Sequence, residues 1–306
     1  MPLFRSLVLA LARRPAVERL VRETPVLTTL VARFVAGETM EEALAVARAL
    51  ADRGFATTLD LLGEDVTAPT EAAAATEAYS ELLHAIARAG LDATISVKPT
   101  HLGLRLDSEL ARLNLERLAR LAQRLGGRVE VDMEDSSTTR RTIELFDVLH
   151  RCYGDHLQLA LQAYLYRTEA DVERAVEHGW RVRLVKGAYA EPATVAYPTK
   201  AAVDAAYRRH LETLLEYGRF VAVATHDDAI VRVARGFAQR IGVGPEKYEF
   251  QMLYGVRRDL QEELRRAGEP VRIYVPFGRH WYPYFTRRLA ERPANLLFLL
   301  RQLASG

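Results

Sequence analysis

Arg181-Val182-Arg183-Leu184-Val185-Lys186 leads to a helical stretch over 201–217 that stops at Gly218, and Phe220-Val221-Ala222-Val223-Ala224-Thr225 follows. The two short runs are apolar-rich, as strands buried on both faces require. The segment between them carries helical period.

Outward from this unit the same pattern repeats. Strand-like runs lie at 55–62, 93–98, 128–132, 157–162, 181–186, 220–225, 248–253 and 271–276, eight in all. Helical segments such as 70–89 and 108–125 separate them, with glycine stops at Gly90 and Gly126. Strand-then-helix repeated eight times predicts an α/β chain closed as a (β/α)8 TIM-type barrel. A doubly wound open sheet would favour a Gly-rich dinucleotide loop after an early strand, and none is present. Gly242-Val243-Gly244 follows a helix and precedes a strand, the wrong context for phosphate. Residues 1–50 read as an N-terminal helical arm, with Thr39 as the N-cap of a helix opening at Met40. Residues 51–306 read as the barrel, in a single domain overall.

Composition narrows the function. The chain has 306 residues, 49 % hydrophobic and 27 % charged, which permits a sizeable core and excludes disorder as the main state. Its 42 basic and 40 acidic residues leave a net charge of +2, no field that argues for nucleic acid. One cysteine, Cys152, excludes an internal disulfide framework and a thiolate metal cluster. No run approaches the ~20 apolar residues of a transmembrane helix. Arg5 before an apolar stretch resembles an export signal, but Arg13 and Arg14 follow it and helical period resumes. The segment is read as amphipathic helix.

In such a barrel the active site forms at the carboxyl ends of the strands. Those ends carry Glu64, Lys98, Asp132 to Asp135, Gln162 with Tyr164, Arg183 with Lys186 and Tyr189, Thr225 to Asp228, Gln251 with Tyr254, and Tyr274. Polar residues end strands wherever loops meet water, so each one alone is more often solvated than functional. Two features shift that balance. Only four of the basic residues are lysines, and Lys98 and Lys186 are two of them. Arg183, inside an apolar run, must find partners for its charge, and a structural ion pair is as good an account as a site.

The last strand-helix unit is sharper. Tyr282-Pro283-Tyr284 leads into Phe285-Thr286-Arg287-Arg288-Leu289-Ala290-Glu291, and paired arginines are expected at a helix start, unfavourable to the macrodipole. Their forked donors suit a carboxylate or phosphate, and Glu291 one turn on can orient either guanidinium. The alternative is a solvated basic face. Metal ligation has little support, since His226, Asp227 and Asp228 lack a His-x-x-x-His or cysteine partner set. No Gly-x-Ser-x-Gly elbow exists for a Ser-His-Asp triad. Cys152, His84 and His150 are read as chemically silent, and Trp180 and Trp281 as packing residues.

These residues, in this order, resemble the proline dehydrogenase family from about Leu59 to Asn295. The motifs are Leu59-Asp60-Leu61-Leu62-Gly63-Glu64, Ser96-Val97-Lys98, Val131-Asp132-Met133-Glu134-Asp135, and Leu161 to Arg167. Arg183-Leu184-Val185-Lys186-Gly187-Ala188-Tyr189, Ala224-Thr225-His226-Asp227, Glu249 to Gly255, and Arg287 to Glu291 complete the series. The length resembles the short, single-function bacterial form.

The resemblance implies a distorted (β/α)8 barrel that holds FAD non-covalently and oxidises L-proline to Δ1-pyrroline-5-carboxylate. A hydride passes from C5 of the unprotonated amine to flavin N5, and electrons pass to a membrane quinone. By the same resemblance, Arg287, Arg288 and Lys98 bind the carboxylate, Glu64 pairs with Arg287, and Glu291 anchors that helix. Tyr274, Tyr284 and Tyr189 pack the ring, and Asp132 lies near Lys98 and the flavin edge. Arg183 sits near flavin N5 and O4, Gln162 at the pyrimidine edge and Met133 beside the ring. Lys186, Gly187 and Ala188 approach the ribityl-phosphate region, Thr225 and His226 lie further along, and Lys200 adds a cation for the phosphates. The expected location is the cytoplasm, with the apolar, Arg-flanked N-terminal helix touching the inner membrane at its periphery. Oligomeric state is left open, and Thr100-His101-Leu102-Gly103 matches no motif.

Two rivals stand beside this reading. A lysine Schiff-base aldolase or lyase would use Lys98 or Lys186 as nucleophile and would be trapped by borohydride. A non-catalytic barrel would bind a small acid without turnover.

Overall fold

In the computed structural model, residues 18, 19, 21, 22, 24 and 30–291 are described, the last three without side chains. The expectations for a helix within residues 1–17, for the Glu291 side chain and for Asn295 lie outside the described residues.

Helix α1 (Met40–Ala51) precedes the barrel. The Thr39 hydroxyl accepts from the Glu42 N–H, and the Glu42 carboxylate accepts from the Thr39 N–H, so two orphan donors are satisfied reciprocally. The barrel follows as β1 (Ala56–Leu61), α2 (Pro69–Ala89), β2 (Ala93–Val97), α3 (Ser108–Leu125), β3 (Val129–Val131), α4 (Ser136–Tyr153) and β4 (Leu157–Gln162). It continues through α5 (Thr168–Glu177), β5 (Arg181–Val185), α6 (Lys200–Tyr217), β6 (Phe220–Ala224), α7 (Asp228–Ile241), β7 (Tyr248–Leu253), α8 (Arg258–Arg266), β8 (Val271–Phe277) and α9 (Trp281–Glu291). The strands pair in chain order, and β8 closes onto β1 with Val275 opposite Leu59, so all eight expected strands form one closed parallel barrel.

The two faces of the sheet differ more than apolar runs imply. One face of each strand packs on the helices: Leu59, Ile95, Val131, Leu159, Leu184, Val223, Phe250 and Ile273 belong to a single buried cluster with residues such as Tyr79, Phe146 and Trp180. The alternate residues meet inside the barrel and are mostly polar, with Ala160, Val185, Ala222 and Ala224 as small apolar exceptions. Gln251 of β7 reaches Glu130 of β3 at 3.3 Å, and Tyr274 of β8 reaches Asp132, just past β3, at 2.9 Å, contacts that only the interior allows. Many barrels fill this space with branched aliphatic layers; here it holds an ionic network.

Helix α9 corrects one expectation. It begins at Trp281, with Pro283 tolerated in its first turn, so Arg287 and Arg288 lie beyond the helix start. The macrodipole penalty expected for arginines at a helix start therefore does not apply. Cys152 is exposed, Trp180 is fully buried beside Phe146, and Trp281 donates its indole N–H to Glu38 at 2.8 Å.

Candidate active site

Two cavities open at the carboxyl ends of the strands. The larger, about 690 Å3, is lined by Asp132, Met133, Gln162, Arg183, Lys186, Gly187, Ala188, Tyr189, Thr225, His226, Tyr274 and Arg288 among others. The second, about 460 Å3, is lined by Glu64, Lys98, His101, His280, Tyr284 and Arg287 among others. Both are of the size of small-molecule sites. Residues from all eight strand ends thus meet in one region.

Between the cavities stands a set of buried charges. Lys98 Nζ lies 2.9 Å from Asp60 Oδ1 and 3.6 Å from Asp132 Oδ2. Burial works against its charge, but Asp60, Tyr274 and Asp132 outweigh it and raise Lys98 above its ordinary value. Asp132 accepts from Ser96 Oγ at 2.9 Å, Tyr274 Oη at 2.9 Å and Arg183 Nη1 at 2.5 Å. Burial would raise this carboxyl, yet Arg183 and Lys98 hold it below its ordinary value. Arg183 also pairs with Glu130, and its Cζ lies 4.9 Å from the Tyr274 ring centroid. Arg287 Nη1 lies 3.2 Å from Glu64 Oε1, with both side chains half-buried.

The far end of the larger cavity is also charged. Lys186 Nζ lies 2.6 Å from Asp204 and 2.9 Å from Asp227. The Lys186 hydrogen bond brings the Asp227 carboxyl down to about 2. Lys200 does not line the cavity; it is exposed on the rim, paired with Asp204 and 3.5 Å from Asp227. His226 Nε2 accepts from the Leu253 N–H at 2.9 Å, and Gln162 Nε2 donates to the Glu134 carbonyl at 2.8 Å. Gly187 has φ +119°, and a Cβ there would meet the Tyr164 ring at 2.3 Å. Only glycine lets the chain pass so close to that ring.

Several residues near these charges take no role from the sequence alone, although Asp60 and Glu134 lie within the motifs that carry the family resemblance. Asp60 and Glu130 are inward-facing carboxylates whose strand alternation, Thr58-Leu59-Asp60 and Glu130-Val131-Asp132, is the sequence signal that points to them. Glu134 accepts Thr100 N–H at 2.9 Å and Thr100 Oγ1 at 2.6 Å. Burial nonetheless pushes its carboxyl up to about 7. His101, in the stretch that matches no motif, bonds Tyr79 Oη at 3.1 Å and lines the second cavity.

Comparison with known proteins then places the chain. The family model described as Proline dehydrogenase matches residues 43–301. The chain belongs to the proline dehydrogenase family. It is 41 % identical to the proline dehydrogenase of Deinococcus radiodurans over 308 residues, spanning 99 % of each chain. It is 38 % identical to proline dehydrogenase 1 of Bacillus subtilis strain 168, covering 88 % of this chain and 89 % of that one. Among solved structures it resembles proline utilization A from Bdellovibrio bacteriovorus, inactivated by N-propargylglycine, with a TM-score of 0.82 and 25 % identity. That match covers 94 % of this chain and 36 % of the longer one. The protein is thus a flavin-dependent oxidoreductase of proline catabolism, acting on proline to give pyrroline-5-carboxylate. No helix among the described residues is long and apolar enough to cross a membrane.

Proposed function

We propose that the larger cavity holds FAD non-covalently and that L-proline binds between it and Lys98, Arg287 and Arg288. The observation that carries this reading is the buried Arg183, fixed between two carboxylates at the floor of a cavity rimmed by further cations. The cavity residues fit such a group: Gly187 leaves room for close approach, Met133 offers an apolar wall, and Gln162 and Thr225 offer polar edges. Lys186 and the rim Lys200 face the phosphate end, sharing Asp204 and Asp227. His226 is already committed to the Leu253 N–H, so its part there is to fix the turn leading into α7, the helix that Asp227 caps.

Bound there, FAD would supply a two-electron acceptor for the hydride leaving proline C5. The remaining work falls to this chain's own side chains. Lys98 and the two arginines meet the substrate carboxylate, and the arginine forks set its orientation. Tyr274, Tyr284 and Tyr189 press the pyrrolidine ring with large apolar faces and exclude water. Glu64 holds Arg287 over the substrate, and Glu291, by resemblance, anchors the same helix. Arg183 presents a fixed cation where negative charge develops, and Asp132 aligns Arg183, Lys98 and Tyr274 at once.

A lysine nucleophile fits less well, because an attacking amine must be neutral and Lys98 is held charged by Asp60 and Asp132. We further propose that electrons pass to a membrane quinone from a cytoplasmic protein with peripheral membrane contact. Liposome flotation with and without residues 1–20 tests the contact, and equal flotation would end it.

The visible spectrum of the purified protein, before and after anaerobic L-proline, tests the central reading. A flavin spectrum that bleaches is expected. Flavin that L-proline leaves oxidised would move the substrate elsewhere, and no flavin after incubation with FAD would remove the cofactor.

A further inference from the structure

Glu130 lies one layer deeper in the barrel than Asp132 and is 1 % exposed. Its Oε1 accepts from Thr58 Oγ1 at 3.0 Å, Thr94 Oγ1 at 2.8 Å and Gln251 Nε2 at 3.3 Å. Those three donors come from β1, β2 and β7 and pin the carboxylate on the barrel axis. Its Oε2 is left to Arg183 Nη2. Among the described residues Glu130 forms no ion pair with any other cation. The neighbouring cations have other partners: Lys98 has Asp60 and Asp132, and Arg272 has Glu249 at 2.9 Å and Asp92 at 3.0 Å. Arg183 is likewise gripped by two carboxylates, at two heights: Asp132 towards the mouth, which also lines the cavity, and Glu130 below it, which does not.

We propose that Glu130 is a positioning residue that sets how much positive potential Arg183 presents to the bound flavin, and so lowers the flavin's midpoint potential. The inference rests on the proposal that Arg183 faces the flavin. A carboxylate in contact with the guanidinium cancels part of its field, and the dry interior does little to screen that effect. Reduction places negative charge on the flavin, so a weakened cation makes reduction less favourable. Against burial, Arg183 and the Arg272 charge keep the carboxylate ionised, and Thr58, Thr94 and Gln251 hold it in place. Glu130 therefore acts on the reaction without reaching the cavity itself.

The test is the midpoint potential of flavin-loaded wild type, Glu130→Gln and Glu130→Asp, read by equilibration with a reference dye. Glutamine keeps a carbonyl oxygen for Arg183 and turns its amide toward the two threonine hydroxyls, which accept. Its potential should rise, favouring reduction at least tenfold, about 30 mV for a two-electron couple. The aspartate variant keeps the charge at a longer reach and should fall between wild type and Glu130→Gln.

A purely structural role gives the opposite sign. An Arg183 set adrift would lose its hold on the site, and the potential would fall. A lowered or unchanged potential in flavin-loaded Glu130→Gln overturns the inference alone. If that variant does not fold, an aspartate variant at or below the wild-type potential overturns it equally. A wild-type protein that takes up no flavin overturns the cofactor reading and this inference together.

Discussion

The Lys98 ammonium sits 2.9 Å from the Asp60 carboxylate, and both are buried. Asp132 shares the same ammonium from 3.6 Å, so two carboxylates lean on one cation. Burial raises the Asp60 carboxyl above its ordinary value, Lys98 opposes this, and the Asp132 charge adds to it. The arrangement is therefore asymmetric: Lys98 has a second carboxylate and Asp132 a second cation in Arg183, while Asp60 has no other ion-pair partner among the described residues.

That asymmetry predicts unequal mutants. Asp60→Asn leaves Lys98 paired with Asp132 and should change stability by less than about 1 kcal/mol at neutral pH. Lys98→Met strands the buried Asp60 carboxylate beside the Asp132 charge, which keeps Arg183, and should cost about 3 kcal/mol or more. Urea unfolding of both variants reads the difference, and equal losses would contradict the sharing.

Arg288→Lys keeps the charge and loses the fork. KM for proline should rise roughly tenfold or more while flavin content stays at the wild-type level. An unchanged KM would remove Arg288 from the carboxylate site.

At Gly187 an alanine meets two obstacles, a left-handed backbone at φ +119° and the Tyr164 ring 2.3 Å from the new Cβ. Gly187→Ala should cost about 2 kcal/mol or more and weaken flavin retention. Flavin absorbance remaining after desalting checks the second effect; full retention would place Gly187 away from the cofactor.

Two buried groups predict opposite pH slopes. Burial pushes Glu134 from 4.5 up to about 7, with Thr100 and Lys98 opposing and Glu64 adding. The folded state therefore holds that proton more tightly, and the associated stability is full below 4.5 and lost as pH rises to about 7. His101 moves the other way: burial, then Lys98 and His280, bring it from 6.5 to about 4. Its contribution is full above 6.5 and lost as pH falls toward 4. Relative to wild type, Glu134→Gln should gain on the order of 3 kcal/mol between those limits as pH rises. His101→Gln should gain as pH falls. Unfolding free energies across pH 4 to 7.5 measure both, and variant curves that stay parallel to wild type would refute the assignments.

What the sequence determined by itself was local and periodic. Eight apolar-rich runs, the helical period between them and the Thr39 cap sufficed for the closed barrel and its strand order, because each is set by residues a few positions apart. The polar strand ends were visible for the same reason, and family motifs anticipated the Arg287–Glu64 pair found at 3.2 Å. Which inward side chains meet was decided only by tertiary structure. Gln251 reaches Glu130 across 121 positions, and Tyr274 reaches Asp132 across 142. Those contacts exist because closure brings non-adjacent strands onto one axis, where a buried charge is tolerated only with a partner at bonding distance. Glu130 and Asp60 acquire their importance there. In the chain they are merely polar residues between hydrophobic ones, and their partners are supplied by strands that the local pattern cannot pair side chain to side chain.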